Sequence, residues 1–87
     1  MNNIERKYSE TQFIDITDNV KIRMGDPTYP YEFFQCLYQN TNVGVISWHD
    51  GNEQYCYCPV ANLALPANVL WDIFAKICEL MKARRLN

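Results

Sequence analysis

Apolar positions change their spacing twice along the chain. From Phe13 to Met24 they fall on alternate residues: Phe13-Ile14-Asp15-Ile16-Thr17, a polar Asp18-Asn19 pair, then Val20-Lys21-Ile22-Arg23-Met24. Period two sends successive side chains to opposite faces of a strand, so this stretch predicts a β-hairpin. A two-residue loop would set Ile14 and Ile16 against Arg23 and Lys21. A three-residue loop, Thr17 to Asn19, pairs Ile16 with Val20 and Ile14 with Ile22 and is the expected register. Two prolines and a glycine in Gly25-Asp26-Pro27-Thr28-Tyr29-Pro30 then break the chain.

The segment from Tyr31 to Gln39 fits two templates. Phe33, Phe34, Leu37 and Tyr38 would line one side of a helix opened by Pro30, while the Phe and Tyr content suits a strand. The strand is preferred, because Asn40-Thr41-Asn42 is turn chemistry and the β run Val43-Gly44-Val45-Ile46-Ser47-Trp48 requires an antiparallel neighbour. His49 to Glu53 forms a hairpin tip, and Gln54-Tyr55-Cys56-Tyr57-Cys58 returns until Pro59 stops it. A four-residue loop, Asp50 to Glu53, places Trp48 near Tyr55 and Ile46 near Tyr57 on one face, with Val45, Ser47, Cys56 and Cys58 on the other. Both faces are then largely apolar: one receives a helix, and the other meets a second layer, a partner or solvent.

After Pro66 the spacing becomes three and four. Leu70, Ile73, Phe74, Ile77, Leu80 and Met81 form a stripe opposite Asp72, Lys76, Glu79 and Lys82, which predicts a helix to about Arg84. Trp71 and Cys78 flank the stripe and widen the face expected to be buried. The predicted fold is α+β, an antiparallel sheet of about three to five strands packed against one long C-terminal helix. Residues 1–11 are polar and read as a mobile arm or short helical lead-in to a single domain spanning 1–87.

Composition limits what such a domain does. At 87 residues it removes only about 60–65% of its unfolded surface from water, so its apolar residues must share one two-layer core. Eight Lys and Arg against ten Asp and Glu give a net charge of −2, where a general nucleic-acid module carries a basic face. The one basic cluster, Lys82-Ala83-Arg84-Arg85, falls in the last turn of the predicted helix, where cations complement the dipole. No run approaches the ~18 apolar residues of a membrane span. The start, Met1 to Lys7, has no apolar stretch behind its charges, so neither secretion signal nor anchor is expected and a cytoplasmic location is. Cys36, Cys56, Cys58 and Cys78 are accordingly expected to be reduced.

Little in the chain suits catalysis. Cys56-x-Cys58 on a strand points both sulfurs to one face and, with His49 or Cys36, would supply zinc ligands; zinc ribbons instead use two Cys-x-x-Cys knuckles on turns, so small packing side chains are the preferred reading and no metal or cofactor is assigned. Cys78 reads as helix packing. His49, the single histidine, sits on an exposed tip with no residue to orient it as a base. Asp15 with Asp18, and Asp50 with Glu53, lie in turns where carboxylates bond the backbone. Gly25, Gly44 and Gly51 are isolated and form no phosphate cradle. A non-enzymatic role follows.

The aromatic residues are the remaining clue. Tyr29, Tyr31, Phe33, Phe34, Tyr38, Trp48, Tyr55 and Tyr57 crowd into the middle of the chain, more than so small a core can absorb. Tyr and Trp are favoured at protein interfaces, so Trp48, Asp50, Glu53, Tyr55, Tyr57, Tyr29 and Tyr31 are the candidate binding residues. Val43 to Trp48, the tip, Gln54-Tyr55-Cys56-Tyr57-Cys58-Pro59 and the Leu70-Trp71-Asp72-Ile73 helix start resemble small proteins encoded by bacteriophages and other mobile elements. The resemblance spans Val43 to Arg84; Tyr57 stands where phenylalanine is commoner, and Cys58 is a further departure. By analogy of size and acidity, it implies an accessory protein that binds and inhibits a host protein complex in the bacterial cytoplasm, as anti-CRISPR and other anti-defence proteins do. Asp26, Glu32, Asp50 and Glu53 would then imitate phosphates or pair with a basic groove. The alternatives are a regulatory or structural homodimer, and a zinc or redox protein built on Cys56 and Cys58.

Overall fold

The computed structural model describes residues 11–85. Four strands, β1 (Thr11–Asp15), β2 (Phe34–Tyr38), β3 (Thr41–His49) and β4 (Gln54–Pro59), pair antiparallel in chain order, with helix α1 (Thr17–Met24) between the first two and helix α2 (Ala67–Arg85) at the end. The α+β architecture expected from the sequence is present. Residues 1–10, most of the expected mobile arm, lie outside the described residues, and Thr11 already belongs to β1.

The hairpin expected from Phe13 to Met24 is not formed. Its first half is β1, but β1 pairs with β2, so Ile14 lies opposite Gln35 instead of Ile22. Its second half is helical, for local reasons. Asp15 turns its carboxylate onto the Thr17 backbone N–H (2.9 Å) and hydroxyl, and Val20 N–H donates back to the Ile16 carbonyl (3.1 Å), starting a helix. Asp18 in the first turn and Lys21 and Arg23 in the last suit the dipole. Gly25, at φ +70°, closes the helix: its N–H reaches the Ile22 carbonyl and Asp26 N–H reaches Lys21 (both 3.2 Å), a Schellman ending. Two helical turns are too short to display a 3.6-residue period, which is why alternate apolar positions imitated a strand. Ile16 N–H and the Thr17 side chain also bond the Phe33 backbone, fixing where α1 leaves the sheet.

The strand expected within residues 31–39 runs from Phe34 to Tyr38, and its turn is tighter than expected: Gln39 and Asn40 (φ +52° and +62°) make a two-residue loop, with Thr41 and Asn42 already in β3. The β3–β4 hairpin has the expected four-residue loop and register, Trp48 opposite Tyr55 and Ile46 opposite Tyr57. Between Cys36 and Leu37 the β2–β3 register shifts, leaving Val43 as an extra residue. Next to this bulge Gly44 adopts φ +149° under the Tyr57 ring. An added Cβ there would meet Tyr57 Cε1 and the Cys58 carbonyl oxygen at 2.5 Å.

One sheet face supplies Cys36, Ile46 and Tyr55, joined in the core by bulged Val43 and by Val69, Ile73 and Leu80 of α2. The other face carries Ile14, Leu37, Val45, Ser47, Cys56 and Cys58, none of them buried. Helix α2 runs antiparallel to β4, with Met81 and Arg84 at Tyr55 and Leu70 beside Tyr57 and Pro59. The helix was expected from Pro66, whose carbonyl accepts its first bonds. Its buried face differs from the expected stripe, however. Val69 joins it, Ile77 and Met81 are half-buried, and Leu70, Trp71, Phe74 and Cys78 point to solvent. Edge strand β4 offers nothing beyond itself to cover that flank, so the helix carries a wider apolar arc than the sheet can receive. No helix among the described residues is long and apolar enough to cross a membrane.

Candidate interaction site

The segment between α1 and β2 brings its aromatic residues onto the end of the sheet. Tyr31 lies flat on Trp48, with ring centroids 4.2 Å apart and planes 2° from parallel. The Arg84 guanidinium is 4.5 Å from the centroid of the same tyrosine. With Trp48 against one side of the ring, the cation occupies the other. Tyr55 stands edge-on to both rings, at 6.4 Å from Tyr31 and 5.3 Å from Trp48. Tyr29 stacks on Phe33 (5.5 Å) and meets Tyr31 edge to face (5.7 Å). These offset and T-shaped arrangements are the ones ring quadrupoles favour.

Arg84 holds this assembly from behind. Its Nη2 donates to Glu32 Oε1 (3.1 Å) and to the Pro30 carbonyl, its Nε donates to the Tyr55 hydroxyl (3.3 Å), and that hydroxyl donates to Glu32. Burial raises the Glu32 carboxyl, but the bonds from Tyr55, its own backbone and Arg84, with the Arg84 charge, outweigh it and leave the group below its usual value. Burial and the bond to Glu32 push the Tyr55 phenol up. The bonding role of Arg84 has no local signature, since it meets Glu32 across 52 positions.

The rim is acidic. Trp48 Nε1–H donates to Asp50 (2.9 Å), which fixes the indole and places a carboxylate beside it. Burial first, then the nearby charges of Asp50, Tyr31 and Asp26, raise the Tyr29 phenol. Asp26 caps its own turn by accepting from the Thr28 hydroxyl (2.9 Å) and N–H (3.2 Å). Glu53 is exposed at the end of the 50–53 turn, where its N–H bonds the Asp50 carbonyl.

Of the residues expected to bind, Tyr29, Tyr31, Trp48 and Asp50 are therefore brought together, with Glu53 on the neighbouring turn. Tyr55, 2% exposed, supports them from beneath and presents no surface. Tyr57 lies apart: its hydroxyl bonds the Val43 carbonyl and its ring covers Gly44. Glu32, expected as a free acidic group, is engaged by Arg84 and Tyr55. Phe33, one of the surplus aromatics but not among the candidate binding residues, belongs to the cluster.

Cys56 and Cys58 share the open face, where Cys58 lies 3.9 Å from the Ser47 hydroxyl and Cys56 takes a contact from Asn52 (3.7 Å). Cys36 is on the opposite, buried face, and His49 Nδ1 accepts the Asn52 N–H (3.1 Å). Among the described residues no three His, Cys, Asp or Glu side chains are grouped to hold a metal. No family model, curated protein or solved structure matches the chain, so its function is read from this geometry.

Proposed function

We propose that the protein is a non-enzymatic binding module that seats its Tyr29–Tyr31–Trp48 surface, rimmed by Asp26, Asp50 and Glu53, on a basic surface of another protein. The stack of Tyr31 on Trp48 carries the reading. Tyr, Trp and Arg dominate the energetics of protein interfaces, and two partly exposed rings already locked in place lose little conformational freedom on binding. Because Glu32 and Arg84 neutralise each other, the local charge is set by the remaining carboxylates and favours a basic partner.

Inhibition of a host defence complex by a phage or prophage accessory protein is the specific form of this proposal. Complexes that handle nucleic acid carry basic channels, onto which an acidic, aromatic surface of this size would fit. The test is capture from a bacterial lysate by the full chain, with Tyr29→Ala and Asp50→Lys as paired controls. One saturable partner is expected, released by salt and bound about 30-fold or more weakly by the double variant, a loss of 2 kcal/mol or more. Expression should also impair the defence activity of the partner complex. Equal capture by wild type and variant, or intact defence activity, would refute the proposal.

A further inference from the structure

A second surface lies about 20 Å away from the aromatic cluster, counting the 13 residues from Trp71 to Arg84 at ~1.5 Å each. We propose that the outer flank of α2 is a two-fold interface between two copies of this chain. On a helical projection Leu70, Phe74, Cys78 and Trp71 follow directly on from the buried Val69, Ile73 and Leu80, while Asp72, Lys76, Glu79 and Lys82 take the opposite side. The apolar arc is thus about twice as wide as the sheet covers, and the exposed half contains no charge.

Three observations point to a second copy as its occupant. The first is area. Leu70, Trp71 and Phe74 are 48%, 55% and 55% exposed, and Leu63 of the adjoining loop, which lines a recess with Leu70, 39%. Taking roughly 200 Å² for a whole aromatic side chain and somewhat less for an aliphatic one, they present about 400 Å² of apolar surface. A standard interface takes about 800 Å² from each partner, a little over half of it apolar, so this patch matches one side of such an interface.

The second is shape. Beside the projecting Trp71–Phe74 pair, whose rings touch at 5.7 Å, lies a recess of about 250 Å³ lined by Tyr57, Pro59, Leu63, Leu65 and Leu70. It is smaller than the ~300–1,000 Å³ of small-molecule pockets and suits one large side chain. A projection and a recess on the same surface are what a self-complementary contact requires, since a two-fold axis brings each to the other. The third is the neighbouring edge of β4. Met81 Sδ accepts the Tyr55 N–H (3.4 Å) and covers part of that edge, which leaves side-chain packing by the helix, not strand addition, as the mode of contact.

Sedimentation equilibrium of the full chain under reducing conditions tests this. Wild type is expected at twice the 10.3 kDa chain mass in the micromolar range. Trp71→Glu with Phe74→Glu, on the projection, and Leu63→Glu, in the recess, should each weaken the dimer 100-fold or more with the circular dichroism of the fold unchanged. A monomer at 100 µM, including one that binds phosphatidylglycerol vesicles instead, overturns the proposal. So does a dimer that survives either variant, or open-ended association without a two-chain limit.

Discussion

Replacing Arg84 by alanine tests how the aromatic surface is held. The side chain makes donor contacts to Glu32, Tyr55 and the Pro30 carbonyl and lies over Tyr31. Arg84 and Glu32 are 32% and 44% exposed, so water screens their attraction and each bond counts near the low end, ~0.5 kcal/mol. The cation over the Tyr31 ring adds ~0.5–1 kcal/mol. The expected loss is about 2 kcal/mol, which for a slope near 1 kcal/mol/M lowers the urea midpoint by about 2 M. Arg84→Lys keeps the charge but not the planar fork, and should recover about half. A double-mutant cycle with Glu32→Gln should show coupling of about 0.5–1 kcal/mol. The near-ultraviolet circular dichroism of Trp48 should weaken as Tyr31 is released. A loss below 0.5 kcal/mol with that spectrum intact would refute the clamp, and with it the claim that the surface is preorganised.

Other outcomes follow from the same geometry. Gly44→Ala should cost about 3 kcal/mol or more, because its Cβ meets backbone as well as the Tyr57 ring; Gly25→Ala, in open space, should cost only about 1 kcal/mol for its left-handed φ, and equal costs would contradict the packing around the bulge. The Thr17 bonds hold Asp15 below its ordinary 3.8, and Glu32 is held below 4.5. Depressed carboxylates stabilise fully above their unfolded values and lose that contribution as pH falls through the folded ones. Urea midpoints should therefore be flat near pH 6 and decline below about pH 4.5, with a shallower decline in Asp15→Asn/Glu32→Gln; an unchanged slope would argue against both networks. Toward a thiol reagent, exposed Cys58 on the open sheet face should react at once, whereas Cys36, fully buried and pushed up to about 11, should react only on unfolding; early labelling of Cys36 would contradict the core.

How much of this was legible depended on the range of the interactions involved. The β3–β4 hairpin could be read because alternation and a four-residue polar tip fix register locally, and α2 because nineteen residues span enough turns for its period to stand out. The eight-residue α1 could not. Val20, Ile22 and Met24 satisfy period two as well as a short helix, and the choice was made by the Asp15 carboxylate, the Gly25 turn and the bonds from Ile16 and Thr17 to Phe33. Aromatic excess pointed to the stretch that builds the ring cluster, but not to the place of each ring in it: Tyr55 and Tyr57 have the same residue type as Tyr29 and Tyr31, and only packing separates support from surface.

By itself the sequence determined an antiparallel sheet with one long C-terminal helix, because hydrophobic periodicity and turn residues act over a few positions. The tertiary structure decided which surfaces remain. Arg84, legible only as a cation suited to a helix end, reaches a loop 52 positions away and turns a helix terminus into the back of an aromatic platform. Leu70, Trp71 and Phe74, which amphipathicity alone assigns to the interior, stay outside because β4 is the last strand. An apolar stripe states how much surface a helix can bury. The width of the sheet beneath it sets how much it does bury.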